Sequence, residues 1–214
     1  QGVENGLVTD QFPFRRVYTG VDKTIKRALP VSAIKKIKNL DFSFQPLLET
    51  SRDLFLFSVY TRGMSFVDMA YLKKANISGG YLTYSRQKTT QRLSILWEEP
   101  MQEIVNKYAN DDTPYLLPVI KQEDGTERQQ YIAMLKLVNR HLKIIGQLAG
   151  VTIPLTTYCA RHSWASAAKH NDIPIGVIQN ALGHESEKTT QIYLSQLDTT
   201  AVDRANRKII RSLF

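Results

Sequence analysis

Residues 157–197 read TYCARHSWASAAKHNDIPIGVIQNALGHESEKTTQIYLSQL and contain three predicted helices, at 157–170, 174–182 and 187–197. Gly183 stands where the residue after a helix C-terminus belongs, and Ser186 is placed to cap the next helix. Within the first helix, Arg161 interrupts an otherwise small and apolar face. A buried arginine needs an anionic partner, and no acidic residue lies within one helical turn of it.

On both sides of this stretch, apolar residues recur at three or four positions and predict further helices. These helices cover about 30–40, 44–60, 98–108, 128–147 and 199–212. In the helix at 44–60, the predicted core face consists of Leu47, Leu48, Leu54, Phe55 and Val59. Two β-rich runs, 81–85 and 92–97, flank RQKTTQ and predict a hairpin. We therefore expect an α+β fold that is predominantly α-helical, with a small antiparallel β-hairpin or three-stranded sheet.

The charge balance is basic. The chain has 214 residues, with 28 Lys or Arg against 20 Asp or Glu, so the formal net charge is +8. This excess predicts attraction to a polyanion, either nucleic acid or an acidic membrane surface. No window approaches the run of about 18 apolar residues that indicates a transmembrane helix. The single Cys159 excludes an intrachain disulfide, and four scattered histidines form no zinc-binding pattern, which favours a reducing cytosol.

The start of the chain predicts a tail or linker that precedes the folded domain. Residues 1–22 are polar, contain Gly and show neither helical nor strand periodicity, which is typical of a tail or linker. The chain opens with Gln1 rather than Met and lacks the apolar segment of a signal peptide. We therefore expect a fragment excised from a longer protein.

Several strong donors and nucleophiles could carry chemistry, although each alone has an ordinary explanation. A surface Arg or Lys is usually a solvated charge, a helical Tyr is usually a half-buried core residue, and a His after a helix often caps or packs. Their order is more specific than any one of them. The chain reads TRGMSFVDM at 61–69, YSRQKT at 84–89, YCARHSWA at 158–165, ALGH at 181–184 and TTQIYL at 189–194.

This ordered set resembles the catalytic domain of the tyrosine recombinases, also called phage-type integrases, over about residues 24–200. The resemblance implies the DNA breaking-rejoining catalytic core, a covalent 3′-phosphotyrosine intermediate, and chemistry with no metal and no cofactor. It also implies that residues 1–22 come from the linker to a missing N-terminal core-binding domain. Residues 23–214 would then form the catalytic domain, which ends in the helix at about 199–212.

The resemblance assigns roles residue by residue. Arg62 matches the family's first arginine, and Lys88 matches its hairpin lysine. Tyr158 and Arg161 match the first and last residues of the H-x-x-R motif. His184 matches the position that holds His or Trp, and Tyr193 matches the nucleophile. The first arginine lies in the neighbourhood of the pattern T/G-x-R-x-x-E/D-L, where Asp68 takes the accessory acidic position. His162 is a second accessory residue. One departure is clear, because the histidine of H-x-x-R is Tyr158 in this chain.

These residue types suit attack on a phosphodiester. Two guanidiniums offer planar forks for its oxygens, and fixed donors in a dry pocket stabilise the charge that develops there. A phenol has an ordinary pKa near 10, so Tyr193 needs a base or a cationic surround. We expect an exposed Tyr193 and a desolvated Lys88 with a lowered pKa that protonates the leaving oxygen. Tyr158 would position the phosphate, while His162, His184 or solvent takes the proton of Tyr193.

Other basic residues predict a DNA surface. Lys35, Lys36, Arg86 and Arg92 are either solvated charges or phosphate contacts in a groove for double-stranded DNA. The helix at 199–212 has a narrow apolar stripe. It either packs on its own domain or, as the resemblance implies, docks on a neighbouring protomer in a cyclic tetramer on DNA.

The expected function is therefore site-specific recombination, which integrates, excises or inverts DNA of a mobile element. We expect it in the bacterial cytosol, at the nucleoid and away from membranes. Two alternatives remain open at this point. One is a catalytically impaired DNA-binding accessory protein, which the change at Tyr158 would support, and the other is a type IB topoisomerase-like enzyme.

Overall fold

The computed structural model describes residues 27–195 and residue 210. The α-helices of residues 27–195 are α1 Val31–Lys38, α2 Pro46–Tyr60, α3 Phe66–Ala70, α4 Glu99–Lys107, α5 Glu127–Leu148, α6 Thr157–His170, α7 Ile175–Leu182 and α8 Glu187–Ser195. The strands are β1 Ile77–Ser78, β2 Tyr81–Ser85 and β3 Arg92–Leu96. The predicted tail at 1–22 lies outside the described residues, as does the helix at 199–212 apart from the exposed Ile210.

The three strands form one antiparallel sheet in the order β1-β2-β3. In the β2–β3 pair, Leu82 lies opposite Ile95 and Thr83 lies opposite Ser94. Leu82 and Ile95 are buried whereas Ser94 is exposed, because side chains alternate between the two faces of a strand. The predicted hairpin is confirmed, and the turn at 86–91 projects from its end.

Helix α2 is the centre of the core. It packs against α1, α4, α5 and α6, and its residues 54–57 are buried without interruption. One predicted core position is wrong, since Leu47 is 61% exposed. Leu47 keeps the apolar spacing of the helix, but its side of the first turn is exposed, whereas Leu48 in the same turn is buried. A helical period predicts which residues share a side of a helix, not which of them the neighbouring helices cover.

Helices α6, α7 and α8 enclose a second apolar cluster, built from Ala165, Ala168, Ile178, Leu182, Tyr193 and Leu194. Both predicted helix boundaries are confirmed. Gly183 ends α7 with a φ of 61°, in the left-handed region that favours glycine, and Ser186 Oγ accepts a hydrogen bond from the Thr189 amide at 3.2 Å. These two turns fix where His184 and Tyr193 point.

Candidate active site

Arg161 occupies the centre of the candidate site. Its side chain projects from α6 and is almost fully buried, with Nη1 donating to the Gly63 carbonyl oxygen at 3.1 Å and Nη2 donating to that of Leu182. Nη2 also lies 3.3 Å from His184 Nε2. Backbone carbonyls therefore hold this guanidinium, where the sequence alone would have called for an anionic partner. Its positive charge is left available to a ligand.

Gly63 makes room for Arg161, and sequence reasoning did not identify it. Its φ is +72°, and a Cβ atom on it would lie 2.5 Å from the Cα of Arg161. The carbonyl that accepts from Arg161 belongs to the same residue, so the close approach and the hydrogen bond depend on each other.

We expect Gly63→Ala to destabilise the fold by about 2–4 kcal/mol, because a left-handed alanine and an overlap with the α6 backbone both add cost. The shift of the urea unfolding midpoint measures this loss of stability. Gly79→Ala is the matched control: Gly79 has a φ of +57° and nothing within 4 Å of its added Cβ, so its loss should stay near 1 kcal/mol. Equal losses in the two variants would contradict the close-packing argument.

Tyr193 and His162 form a buried pair. The Tyr193 hydroxyl lies 2.6 Å from His162 Nδ1, and the two rings stack with centroids 5.4 Å apart. A neutral His162 with its proton on Nε2 accepts this hydrogen bond at Nδ1. The expectation of an exposed Tyr193 is wrong, since only 8% of the residue is accessible. Burial raises the pKa of the phenol, nearby Tyr158 raises it further, and the positive charge of Arg161 opposes both.

His184 links Arg161 to α8. Its Nδ1 lies 2.9 Å from the hydroxyl oxygen of Thr190, and its ring meets that of Tyr193 edge to face at 5.5 Å. Burial first, then the charges of Arg161, Arg86 and Lys88, lower the pKa of His184 to about 4. The ring is therefore neutral near pH 7. Thr190 was missed by sequence reasoning, although it lies within the TTQIYL run.

This shift predicts how stability depends on pH. The His184 pKa is about 4 in the folded chain and near 6.5 when unfolded, so the unfolded state binds more protons between these values. Stability should therefore fall as the pH drops from 6.5 to 4, with no contribution from this ring above that window. Urea unfolding across this range measures the slope, and His184→Gln should make it shallower. An unchanged slope in the variant would contradict a neutral, half-buried His184.

Arg62, the first arginine of the expected set, directly precedes Gly63, whose carbonyl oxygen accepts from Arg161. The Arg62 guanidinium donates to the carbonyl oxygen of Ser94 on β3 at 3.3 Å. Arg62 also precedes Asp68 by six residues, whereas the R-x-x-E/D pattern has a spacing of three, a position that Ser65 fills. Ser65 caps α3 and donates to Asp68 Oδ2 at 2.6 Å. The other Asp68 oxygen accepts from the Gln87 amide at 2.8 Å, so this buried acid anchors the hairpin turn.

Lys88 and Tyr158 are both more exposed to solvent than the other members of the cluster, which are Arg161, His162, His184 and Tyr193. Lys88 is exposed at the tip of the β2–β3 turn, as its place in the sequence predicts, so the expectation that it is desolvated is wrong. Tyr158 is 50% exposed in the first turn of α6, with its ring edge to face against His162 at 4.7 Å.

The four basic residues expected at a DNA surface divide into two groups. Lys35 and Lys36 on α1 and Arg92 at the start of β3 are exposed. Arg86 is buried instead, and its Nη1 donates to the Gly183 carbonyl oxygen. The reason is its position at the base of the turn, which packs against the end of α7.

No helix among the described residues is both long and apolar enough to cross a membrane. Across the same part of the chain, no group of three or more His, Cys, Asp or Glu side chains is placed to hold a metal ion.

The fold agrees with the comparisons to known proteins. The model described as "Phage integrase family" matches residues 58–200, which is more than half of the chain. The chain belongs to the phage integrase family.

Among its relatives is tyrosine recombinase XerA of Pyrococcus furiosus, 28% identical over 194 residues. The match covers 87% of this chain but only 64% of that protein. Tyrosine recombinase XerC of Rickettsia bellii is 24% identical over 150 residues, covering 68% of this chain and 47% of that protein. The chain thus spans less than two thirds of the length of these relatives.

Solved structures show the same fold at low sequence identity. A lambda integrase tetramer bound to a Holliday junction matches with a TM-score of 0.65 and 17% identity, over 92% of this chain and 55% of that one. XerH site-specific recombinase in a post-cleavage complex with difH substrate matches with a TM-score of 0.63 and 17% identity, over 89% and 56% of the two chains. The predominantly helical fold with a small antiparallel sheet is therefore confirmed.

Proposed function

We propose that this chain is the catalytic domain of a site-specific recombinase that cleaves and rejoins double-stranded DNA through a covalent 3′-phosphotyrosine. The observation that carries the proposal is the contact set around Arg161. It brings a buried guanidinium, a neutral His184 and the Tyr193–His162 pair together from two separate helices and a turn.

The residues support a balanced reaction without a metal. The Tyr193 oxygen attacks phosphorus and gives its proton to His162, 2.6 Å away. The phosphorus–O5′ bond breaks, and Lys88 at the hairpin tip protonates the leaving oxygen. Arg161 binds the phosphate while His184 supports its guanidinium, and Arg62 adds positive charge from the side of β3. Reversal of the same steps by another 5′-hydroxyl rejoins the strand.

Before attack, either the Tyr193 hydroxyl moves away from His162 or the phosphate binds next to the Tyr193–His162 pair. The charge of Arg161 already favours the phenolate, against burial and Tyr158, which oppose it. A phosphate held by Arg161 lies next to the Tyr193 ring, because His184 contacts both residues. DNA binding therefore places the phosphorus atom next to the Tyr193 hydroxyl.

Tyr158 fits a phosphate-positioning role, since the residue is half exposed and its hydroxyl can donate to a phosphate oxygen. We expect Tyr158→Phe to slow adduct formation about tenfold, the cost of one hydrogen bond to a charged group, without weakening DNA binding. Gel-shift and cleavage assays on one DNA substrate separate the two effects. Tyr81→Phe is the control, since Tyr81 is 48% exposed and lies on β2 outside the cluster. Wild-type cleavage in Tyr158→Phe would remove this residue from the site.

The partners follow from the same proposal. The +8 charge and the exposed Lys35, Lys36 and Arg92 support contact with the phosphates of duplex DNA. Lambda integrase forms a tetramer on a Holliday junction, and we extend a tetramer on DNA to this chain, joined through the helix at 199–212. Residues 1–22 then link this domain to a core-binding domain, and the protein works at the nucleoid of a bacterial cytosol.

One experiment tests the function as a whole. The gene's own DNA site is placed twice on a supercoiled plasmid and incubated with the full-length protein. We expect recombinants between the two sites, which is the outcome that a recombinase gives. Relaxation of the plasmid without site dependence would indicate a type IB topoisomerase-like enzyme. DNA binding without any covalent adduct would indicate the accessory protein that the change at Tyr158 allows.

A further inference from the structure

The turn between β2 and β3 buries a second arginine beside the first. Arg86 is 9% exposed, and its Nη1 donates to the carbonyl oxygen of Gly183. The preceding carbonyl, that of Leu182, accepts from Nη2 of Arg161. Two guanidiniums, one from α6 and one from the hairpin turn, therefore bind neighbouring oxygens at the C-terminal end of α7.

Little negative charge balances this pair. A helix C-terminus is equivalent to about half a negative charge, which two full positive charges share here. Within residues 27–195, neither guanidinium forms an ion pair with a carboxylate. The buried Asp68 gives its oxygens to Ser65 and to the Gln87 amide. Burial and the charge of Arg86 lower the pKa of Arg161, as expected for like charges that repel.

The same turn contains buried polar atoms that form no hydrogen bond with the described residues. They are Arg86 Nε, Thr89 Oγ1 and Gln91 Oε1. Buried polar atoms are nearly always paired, so three of them within residues 86–91 point to a ligand. Two of the three, Arg86 Nε and the Thr89 hydroxyl, are donors, and donors next to unbalanced positive charge fit an anion with acceptor oxygens. Gln91 Oε1 is an acceptor, which such an anion does not pair.

The Arg86 side chain has the right edge for such an anion. Nη1 is used by the Gly183 carbonyl, so Nε and Nη2 form the other edge of the planar group. That edge is a fork whose two N–H groups match two oxygens of a phosphate. A lysine could supply the charge but not the fork.

We propose that Arg86 is a further catalytic residue, which binds a non-bridging oxygen of the phosphodiester through its Nε edge while Arg161 binds the same phosphate. This inference rests on the proposed strand-transfer function and deepens it. The phosphate then meets two buried guanidiniums at the end of α7, in addition to the positive charge of Arg62. One turn supplies both a phosphate donor, Arg86, and the acid for the leaving group, Lys88.

The test uses inorganic phosphate as the probe, so that it does not depend on cleavage. The melting temperature of the 214-residue chain is measured against phosphate concentration, with sodium chloride holding the ionic strength constant. We expect phosphate to stabilise the wild-type chain and Arg86→Lys to bind it about tenfold more weakly, because the fork is lost. The matched control is Arg52→Lys, a similarly buried arginine paired with Glu49 and Asp53, which should bind as the wild type does.

A second measurement uses only the wild-type chain, so it does not depend on whether a variant folds. Crystals of the wild-type chain soaked in phosphate should place the anion within hydrogen-bond distance of both Arg86 Nε and Arg161. An anion on Arg161 alone, or unchanged phosphate binding in Arg86→Lys, would overturn the inference. Both results are independent of the function. If the protein forms an adduct while Arg86→Lys keeps full phosphate binding, only this inference fails. If phosphate binding depends on Arg86 but no adduct forms on DNA, only the proposed function fails.

Discussion

Tyr193→Phe should abolish the covalent protein–DNA adduct, because phenylalanine has no oxygen with which to attack phosphorus. The substrate for this experiment is a duplex carrying the chain's own site with a nick close to the cleavage position. Cleavage then releases a short strand that diffuses away, and the phosphotyrosine cannot be reversed. We expect a labelled band at the mass of protein plus DNA on a denaturing gel for the wild type, and no such band for Tyr193→Phe.

The control for this variant is Tyr131→Phe. Tyr131 is a partly buried tyrosine that packs against Phe66 and Tyr71, away from the cluster, and its adduct band should match that of the wild type. Loss of the Tyr193 hydroxyl also leaves His162 Nδ1 without that hydrogen bond, at a cost of about 1 kcal/mol. A circular dichroism melt of Tyr193→Phe therefore accompanies the gel. An adduct that persists in this folded variant would place the nucleophile on another residue.

The second large effect is expected at Arg161. Arg161→Lys should slow single-turnover cleavage at least about 100-fold, the typical loss when one preorganised donor to a developing oxyanion is removed. Lysine keeps the positive charge but carries one nitrogen in place of the fork. It therefore cannot bind the carbonyls of Gly63 and Leu182 and also present donors to a phosphate. The adduct band, followed over time with the protein in excess, measures this rate.

Arg52→Lys is the matched control for this prediction. Arg52 is also poorly exposed and donates to a backbone carbonyl, that of Leu40, but it is paired with acids on α2 away from the cluster. Its cleavage rate should remain within about twofold of the wild type, since changes away from a site have small effects. A rate in Arg161→Lys as high as in this control would assign Arg161 a purely structural role.

The order of helices and strands could be predicted from the sequence because its signals are local. Apolar spacing predicted α5, and Gly183 and Ser186 predicted where α7 ends and α8 begins. Alternation on either side of RQKTTQ predicted the hairpin. Each of these signals depends on residues a few positions apart, within the range over which the backbone itself sets geometry.

Burial was harder to predict, because it depends on residues that are distant in the chain. Leu47 was assigned to the core and Arg86 to a solvated or DNA-contacting surface from their neighbours in sequence, but Leu47 is exposed and Arg86 is buried. Arg86 is covered by Gly183, 97 positions later in the chain. The exposure of a charged side chain cannot be read from a short window when its cover comes from another helix.

The sequence by itself determined the fold class, the family and the residue types of the candidate site, since the motifs around Arg161, His184 and Tyr193 lie within 36 consecutive positions of the chain (158–193). Only the tertiary structure decided how those residues meet. The contact of Tyr193 with His162 spans 31 positions, and that of Arg161 with Gly63 spans 98. Long-range contacts form when helices pack and exclude water, so they depend on the shape of both surfaces at once. For that reason, the contact of Tyr193 with His162 and the burial of the second guanidinium could be seen only in the folded chain.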